Sequence, residues 1–181
     1  MLDNQITGIY RAWGMIEEVI EVTVRNMIEA DLRGIDSHGV GMLPTYNLRR
    51  KQGIVDPKGE LTTVRDFAAT ALLDAGNALG HYATTKAMNM ACDKAKKFGV
   101  GVVTVRRSNH YGAAGVYSTM AADRGMVGVC MTGSSQAAVL LRLHPSWCCC
   151  PYSSIPSRPN FDRWLCSAKS GGRPDCPCGA N

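Results

Sequence analysis

The sequence has no long apolar run and no segment dominated by charge of one sign. Within its 181 residues, no apolar stretch approaches the roughly 20 residues that a membrane-spanning helix needs. The first residues include Asp3 and lack the apolar core of a signal peptide. The net charge is +5, but basic residues do not form a stripe with interleaved aromatic side chains. We therefore expect a cytoplasmic protein with no membrane and no nucleic-acid partner.

The sequence also lacks the glycine pattern of the common dinucleotide-binding folds. The pairs Gly39/Gly41 and Gly99/Gly101 resemble the start of that pattern, but neither has the third glycine three residues later. The first pair also follows a predicted helix rather than a strand, and no Walker A sequence occurs. A Rossmann phosphate loop is therefore excluded by spacing and by context, and turn geometry explains both pairs better.

The cysteines divide the chain into two parts. Cys92 and Cys130 are isolated among apolar residues, as reduced core cysteines are. The other six of the eight lie between residues 148 and 178, where adjacent cysteines cannot easily bring their sulfur atoms together. The pair Cys176/Cys178 is too closely spaced for the usual zinc motif. We expect no metal site.

Apolar spacing predicts alternating helices and strands, and therefore an α/β or α+β fold. The predicted helices are 8–33, 43–51, 81–98 and 113–124, and the predicted strands lie within 61–74, 100–105 and 126–131. Beyond about residue 135 no helical or strand period continues, and six of the eight prolines lie beyond residue 144. We therefore divide the chain into a folded domain, 1–135, and an aberrant tail, 136–181.

Two short histidine motifs carry most of the functional information. Asp36–Gly39 (DSHG) follows a predicted helix, and Ser108–Gly112 (SNHYG) follows a predicted strand. Small polar residues and glycine flank each imidazole, which favours presenting the ring to a substrate rather than burying it. Because the ordinary pKa of histidine lies near neutrality, the pair indicates proton transfer. The alternative is that each histidine is a turn residue whose ring is satisfied by the backbone.

The sequence around these motifs closely resembles the malate/L-lactate dehydrogenase family. The first matching segment is Ala30–Val40 (ADLRGIDSHGV), and the second is Ser108–Gly115 (SNHYGAAG). Leu79–His81 falls between them in the expected order. The resemblance covers about residues 5–135 and implies an NAD(P)-dependent oxidoreductase of small 2-hydroxy or 2-oxo acids. It further implies a helical N-terminal part, a non-Rossmann and largely antiparallel sheet that holds NAD or NADP, and a homodimer.

The resemblance also implies which residues line the pocket. His110 and His38 are the candidate acid/base groups, with a slight preference for His110 because its glycine-rich neighbours bring the backbone close to a ligand. Ser37 and Asn109 are candidates for hydrogen-bonding the substrate or orienting the rings. Several family members carry an arginine near position 42 that could pair with a substrate carboxylate, whereas this chain has Met42.

The cofactor contacts implied by the resemblance are His110, Gly112, Thr132 and Ser134. Family members continue well past this point, with a segment that completes the cofactor site. We therefore interpret residues 136–181 as a foreign or out-of-frame terminus on a truncated homologue, and we expect it to be mobile. The alternative for the tail is a genuine divergent segment. The alternative for the whole chain is a non-catalytic remnant or partner-binding fragment.

Overall fold

The computed structural model describes residues 2–133 and a strand at 138–142. The predicted tail beyond residue 142 and the candidate residue Ser134 lie outside the described residues. The helices are α1 (Leu2–Ala12), α2 (Glu17–Leu32), α3 (Leu43–Lys51), α4 (Gly80–Phe98) and α5 (Ala114–Ala122). The strands are β1 (Thr62–Phe67), β2 (Thr70–Asp74), β3 (Val102–Arg106), β4 (Gly128–Thr132) and β5 (Ala138–Arg142). None of the described helices is long and apolar enough to cross a membrane.

The first helical prediction is wrong in one respect, because residues 8–33 are not one helix. The chain leaves α1 at Ala12 and enters α2 at Glu17. Gly14 adopts a left-handed conformation with φ of +81°, and the amide of Met15 donates to the carbonyl of Tyr10. This is the way in which a glycine commonly ends a helix. The three- and four-residue apolar spacing alone gave no sign of the break.

The later elements agree with the sequence prediction apart from their ends. Helix α3 has the predicted bounds, with Pro44 in its first turn, where a missing amide is tolerated. Helix α4 ends at Phe98, and Gly99 follows in the left-handed conformation at φ of +80°. Strands β3 and β4 each begin two residues later than predicted. The β-like segment 61–74 is a hairpin formed by β1 and β2.

The strands form two small sheets. In the first, β2 pairs antiparallel with β1 and parallel with β3, and α4 makes the crossover between the parallel strands. In the second, β4 pairs antiparallel with β5. Two of the three described pairings are therefore antiparallel, and the predicted mixed, non-Rossmann fold is confirmed. Strand β5 lies beyond residue 135, so the expectation that regular structure ends there is wrong. The domain boundary itself stays a prediction.

Two clusters form most of the core. The larger one joins α1, α2 and α3, and its fully buried members include Tyr10, Met27 and Tyr46. The smaller one joins α4, α5 and β4, and it contains both Cys92 and Cys130, as the sequence predicted. His38 follows α2, which belongs to the larger cluster, whereas His110 follows β3, which contributes no residue to either cluster.

Candidate active site

The turn that carries His38 is built around the carboxylate of Asp31. The backbone amide of Val40 donates to Asp31 Oδ2 at 2.9 Å. Gly39 lies so close to this carboxylate that an added Cβ would approach Asp31 Oδ1 to 1.6 Å. Glycine is therefore required at position 39 by packing rather than by a left-handed backbone. Ser37 Oγ lies 2.9 Å from His38 Nδ1, so the serine is placed to orient the imidazole of His38.

The loop that carries His110 is tied to the turn before α4. The amide of Gly80 donates to the carbonyl of His110 at 2.9 Å, and the amide of Asn109 donates to the carbonyl of Ala78 at 3.1 Å. The side-chain amide of Asn109 donates to the carbonyls of Asn77, at 2.6 Å, and Ile54, at 3.1 Å. Both hydrogens of this amide are thus used by the backbone, which supports an orienting role for Asn109.

A buried carboxylate fixes the start of the same loop. Asp74, at the end of β2, accepts hydrogen bonds from Arg106 and Arg107 and from the amide of Gly76. These bonds, with that from Arg107 the largest, lower the pKa of Asp74 to about 2. Arg107 has a positive φ of 47°, which is uncommon for a residue with a side chain. The ion pair to Asp74 stabilises this backbone turn immediately before the second histidine motif.

The two loops bring His38 and His110 together. Their ring centroids lie 5.3 Å apart. His110 is partly buried, and burial, with contributions from the neighbouring His38 and Arg49, lowers its pKa to about 4. The ring is therefore neutral at pH 7. The structure confirms the proximity of the two histidines, whereas their chemical roles stay predictions.

Hydrogen bonds to Nδ1 set the tautomer of His110. The Oη of Tyr46 lies 2.7 Å from this nitrogen, and the amide of Gly112 donates to it at 3.3 Å. Because a backbone amide can only donate, Nδ1 acts as an acceptor, and we assign the hydrogen of the neutral ring to Nε2. The Nε2 atom is thereby left to exchange a hydrogen bond or a proton with a ligand.

Tyr46 is a site residue that the sequence analysis missed. It is fully buried in α3, burial raises its pKa, and its hydroxyl reaches His110. The signal that was available is a lone aromatic residue in the helix LPTYNLRRK, eight residues after His38. That signal is weak, because one buried tyrosine on an amphipathic helix usually indicates only core packing.

His81 is a second histidine in contact with Tyr46. The two rings meet edge to face with centroids 5.7 Å apart. His81 is fully buried, and burial lowers its pKa to about 3. Neither of its ring nitrogens has a hydrogen-bond partner among the described residues. A Cβ at Gly112 would approach His81 Nε2 to 2.9 Å, and Gly112 has a φ of +77°, so both space and backbone require glycine there.

The predicted cofactor residues are only partly assembled. Gly112 adjoins His110, while Thr132, at the end of β4, hydrogen-bonds the phenol of Tyr111 and lowers its pKa. Burial outweighs this effect and raises the pKa of Tyr111 to about 12. The rings of Tyr111 and His110 lie 6.4 Å apart, so Thr132 is connected to the histidines through Tyr111.

A cavity lies away from the two histidines. It has a volume of about 420 Å³, lies against α1 and α2, and is lined by Glu17, Glu18 and Glu21 together with two uncharged residues. It contains neither histidine. We therefore assign the candidate site to the histidine pair rather than to this cavity.

Comparison with known proteins gives the same family as the motifs. A sequence model of the malate/L-lactate dehydrogenase family matches residues 1–142. The L-sulfolactate dehydrogenase of Methanocaldococcus jannaschii is 39% identical over 132 residues, which are 73% of this chain and 38% of that protein. The malate dehydrogenase of Pyrococcus abyssi is 44% identical over 121 residues, or 67% of this chain and 33% of that protein.

Solved structures show the same likeness. The crystal structure of malate dehydrogenase from Entamoeba histolytica superposes with a TM-score of 0.69 at 38% identity, over 73% of this chain and 37% of that one. The sulfolactate dehydrogenase structure from M. jannaschii gives a TM-score of 0.68 at 38% identity, over 70% of this chain and 37% of that one. The chain thus spans between a third and two fifths of the length of these relatives, and it belongs to the malate/L-lactate dehydrogenase family.

Proposed function

We propose that the chain carries the proton-transfer part of an NAD(P)-dependent oxidoreductase that interconverts small 2-hydroxy and 2-oxo acids. The observation that supports this most strongly is the held imidazole of His110. Its Nδ1 lies 2.7 Å from Tyr46 Oη, and the second imidazole, that of His38, lies beside it. Reduction of a 2-oxo acid needs a proton at the carbonyl oxygen, and a positioned imidazole suits this step in both directions.

His110 is the preferred acid/base group in this proposal, with His38 as the rival. A bound 2-oxo acid places its carboxylate near the ring, and a nearby negative charge raises the pKa of an imidazole. The ring is protonated from solvent at Nδ1, and the resulting imidazolium gives its Nε2 proton to the carbonyl oxygen as the carbonyl carbon is reduced. This leaves a neutral ring with its hydrogen on Nδ1, and in the oxidative direction that form of the ring takes the proton back at Nε2. The hydroxyl of Tyr46 can donate to or accept from Nδ1, so it serves both protonation states.

The cofactor contacts proposed for His110, Gly112 and Thr132 fit a nicotinamide ring rather than a whole dinucleotide, and the contact proposed for Ser134 lies outside the described residues. The Gly112 amide lies 3.3 Å from His110 Nδ1. The Thr132 hydroxyl contacts Tyr111, which is the residue after His110. Backbone and hydroxyl groups beside the acid/base residue suit a carboxamide. When bound, NAD or NADP supplies or removes the hydride. We further propose a homodimer and a cytoplasmic location, as the family resemblance implies.

The test is oxidation of NADH and NADPH with a panel of 2-oxo acids. We would assay the chain itself and a graft of residues 1–133 in place of the matching segment of M. jannaschii sulfolactate dehydrogenase. Activity is expected in the graft, and His110→Gln should lower kcat by about 10²- to 10⁴-fold. If His38→Gln causes the loss instead, His38 is the acid/base group. A soluble graft that is inert on the whole panel would contradict the proposed function.

Exposed apolar residues on the strands favour a second candidate, a partner-binding fragment without catalysis. Met131 is 69% exposed on β4, and Phe67 is 78% exposed on β1. Exposed apolar side chains recruit partners or promote aggregation when they form a patch. Sedimentation of the purified chain discriminates between the candidates. A dimer that melts cooperatively supports the enzyme, whereas polydisperse association with strong dye binding supports the fragment.

A further inference from the structure

A cation lies beside the histidine pair on the same helix as Tyr46. Arg49 is three residues after Tyr46 in α3, so the two side chains share one face of the helix. Arg49 is half-buried, and its positive charge lowers the pKa of both His110 and Tyr46. It therefore lies within electrostatic reach of the atoms that hold the acid/base ring.

Hydrogen bonds connect the backbone at Arg49 to the loop that carries His110. The carbonyl of Arg49 accepts hydrogen bonds from the amides of Ile54, at 3.0 Å, and Val55, at 3.3 Å. The carbonyl of Ile54 in turn accepts from the side chain of Asn109, the residue before His110. The end of α3 and the second histidine loop are thus joined on two sides, once through Tyr46 and once through Asn109.

Arg49 has no counter-ion among the described residues and, unlike Arg50, no ring or hydrogen-bond partner for its guanidinium. Within residues 2–133 it makes no ion pair and no side-chain hydrogen bond. Arg50, by contrast, lies over the ring of Trp13 at 5.1 Å and donates to Asn47. A half-buried guanidinium without a carboxylate partner, close to the neutral imidazole of His110, makes the site attractive to an anion.

We propose that Arg49 binds the carboxylate of the substrate and so determines that the site takes 2-oxo and 2-hydroxy acids. This inference rests on the proposed function. In such acids the carboxylate carbon is bonded directly to the reacting carbon, so the carboxylate-binding group must lie next to the acid/base group. A guanidinium can hold a carboxylate through two parallel hydrogen bonds, which also fixes the orientation of the carbonyl.

The test is binding of oxamate, a 2-oxo acid analogue that is not reduced, followed by imidazole NMR signals in the chain itself. We expect oxamate to shift the His110 signals and to raise the pKa of His110. Arg49→Gln should weaken oxamate binding by about 10- to 100-fold, because a hydrogen bond to a charged group is lost. Arg49→Lys should show an intermediate loss, and Lys51→Gln, an exposed cation in the same last turn, should show none.

Several results would overturn the inference. One is unchanged oxamate affinity in a folded Arg49→Gln chain, and another is failure of the unmodified chain to bind oxamate. A parallel titration with ADP covers the cofactor pyrophosphate, the other anion that an arginine could hold. Loss of ADP binding with oxamate binding retained would assign Arg49 to the cofactor instead.

The result can be separated from that of the proposed redox activity. Arg49-dependent oxamate binding without any reduction of 2-oxo acids would leave the carboxylate site standing and remove the redox function. Reduction of 2-oxo acids with an unchanged KM in the Arg49→Gln graft would support the redox function and remove the carboxylate site at Arg49.

Discussion

The helical N-terminal part and the strands differ in how completely their apolar side chains are covered. In the cluster of α1, α2 and α3, Tyr10, Met27 and Tyr46 have no exposed surface. On β4, residues alternate between buried Gly128 and Cys130, which face α5, and exposed Val129 and Met131. The helices therefore bury one apolar face against one another, although Leu32 and Leu48 stay exposed, whereas β4 is covered on one face and β1 on neither. The histidine site is anchored to the better-packed part through Tyr46.

The largest expected effect comes from equal truncations in the two regions. Met27→Ala should lower the free energy of unfolding by about 2–5 kcal/mol, because it leaves a cavity in a closed core and removes the partner of the Tyr10 hydroxyl. Met131→Ala, a matched change at a residue that is 69% exposed, should alter it by less than about 0.5 kcal/mol. Urea unfolding of both variants measures the difference. Equal losses would show that the open strand face is packed in solution.

A pH titration of stability sharpens the comparison at the site. The pKa of His81 is about 3 and that of His110 about 4, against 6.5 for ordinary histidine. Below about pH 6.5 the unfolded chain takes up protons that the folded chain does not, so the free energy of unfolding falls as the pH falls. The loss is at most about 1.4 kcal/mol per pH unit for each ring. Urea unfolding at several values between pH 7 and pH 5 measures the slope.

His81→Phe is the control for this slope. It keeps an aromatic ring against Tyr46 and removes two buried nitrogens that lack hydrogen-bond partners. The variant should unfold with a clearly shallower pH dependence, and it should be at least as stable as the unmodified chain near pH 5, because an apolar ring carries no penalty for unpaired polar atoms. An unchanged slope would mean that His81 is accessible to protons in the folded chain.

The smallest expected effect concerns surface behaviour. Met131→Lys and Val129→Lys place charges on the exposed face of β4, so they should reduce binding of a hydrophobic dye and leave the unfolding transition nearly unchanged. Thr62→Lys, at an exposed polar position on β1, is the matched control and should leave dye binding as it was. If the lysine variants unfold the chain, this face is part of the core.

The sequence predicted the parts of the molecule that local patterns determine. The bounds of α3 and the strand-to-loop placement of His110 followed from apolar spacing and turn residues. The break at Gly14 did not, because the turn depends on one glycine in a left-handed conformation within an otherwise helical pattern. Strand β5 was missed because its apolar residues run straight into a segment rich in proline and cysteine.

The site was predictable only in part for a related reason. The two histidine motifs are local and could be recognised one at a time. The roles of Tyr46, His81 and Arg49 depend on how α3 and α4 pack against the second loop, and no spacing in the sequence encodes those contacts. Family resemblance was enough to predict the site residues within the motifs, whereas Tyr46, His81 and Arg49 were identified only from the packing in the structure.

The most direct test of the site is the ionisation of His110 in the unmodified chain. Nitrogen-15 NMR of the imidazoles, assigned with His38→Gln, His81→Phe and His110→Gln, reports both the tautomer and the pKa. The geometry predicts a neutral ring at pH 7 with its hydrogen on Nε2, Nδ1 accepting a hydrogen bond, and a pKa near 4. A hydrogen on Nδ1 of the neutral ring, or a pKa at the ordinary value of 6.5, would contradict the arrangement of Tyr46, Gly112 and His110 from which the proposed proton transfer starts.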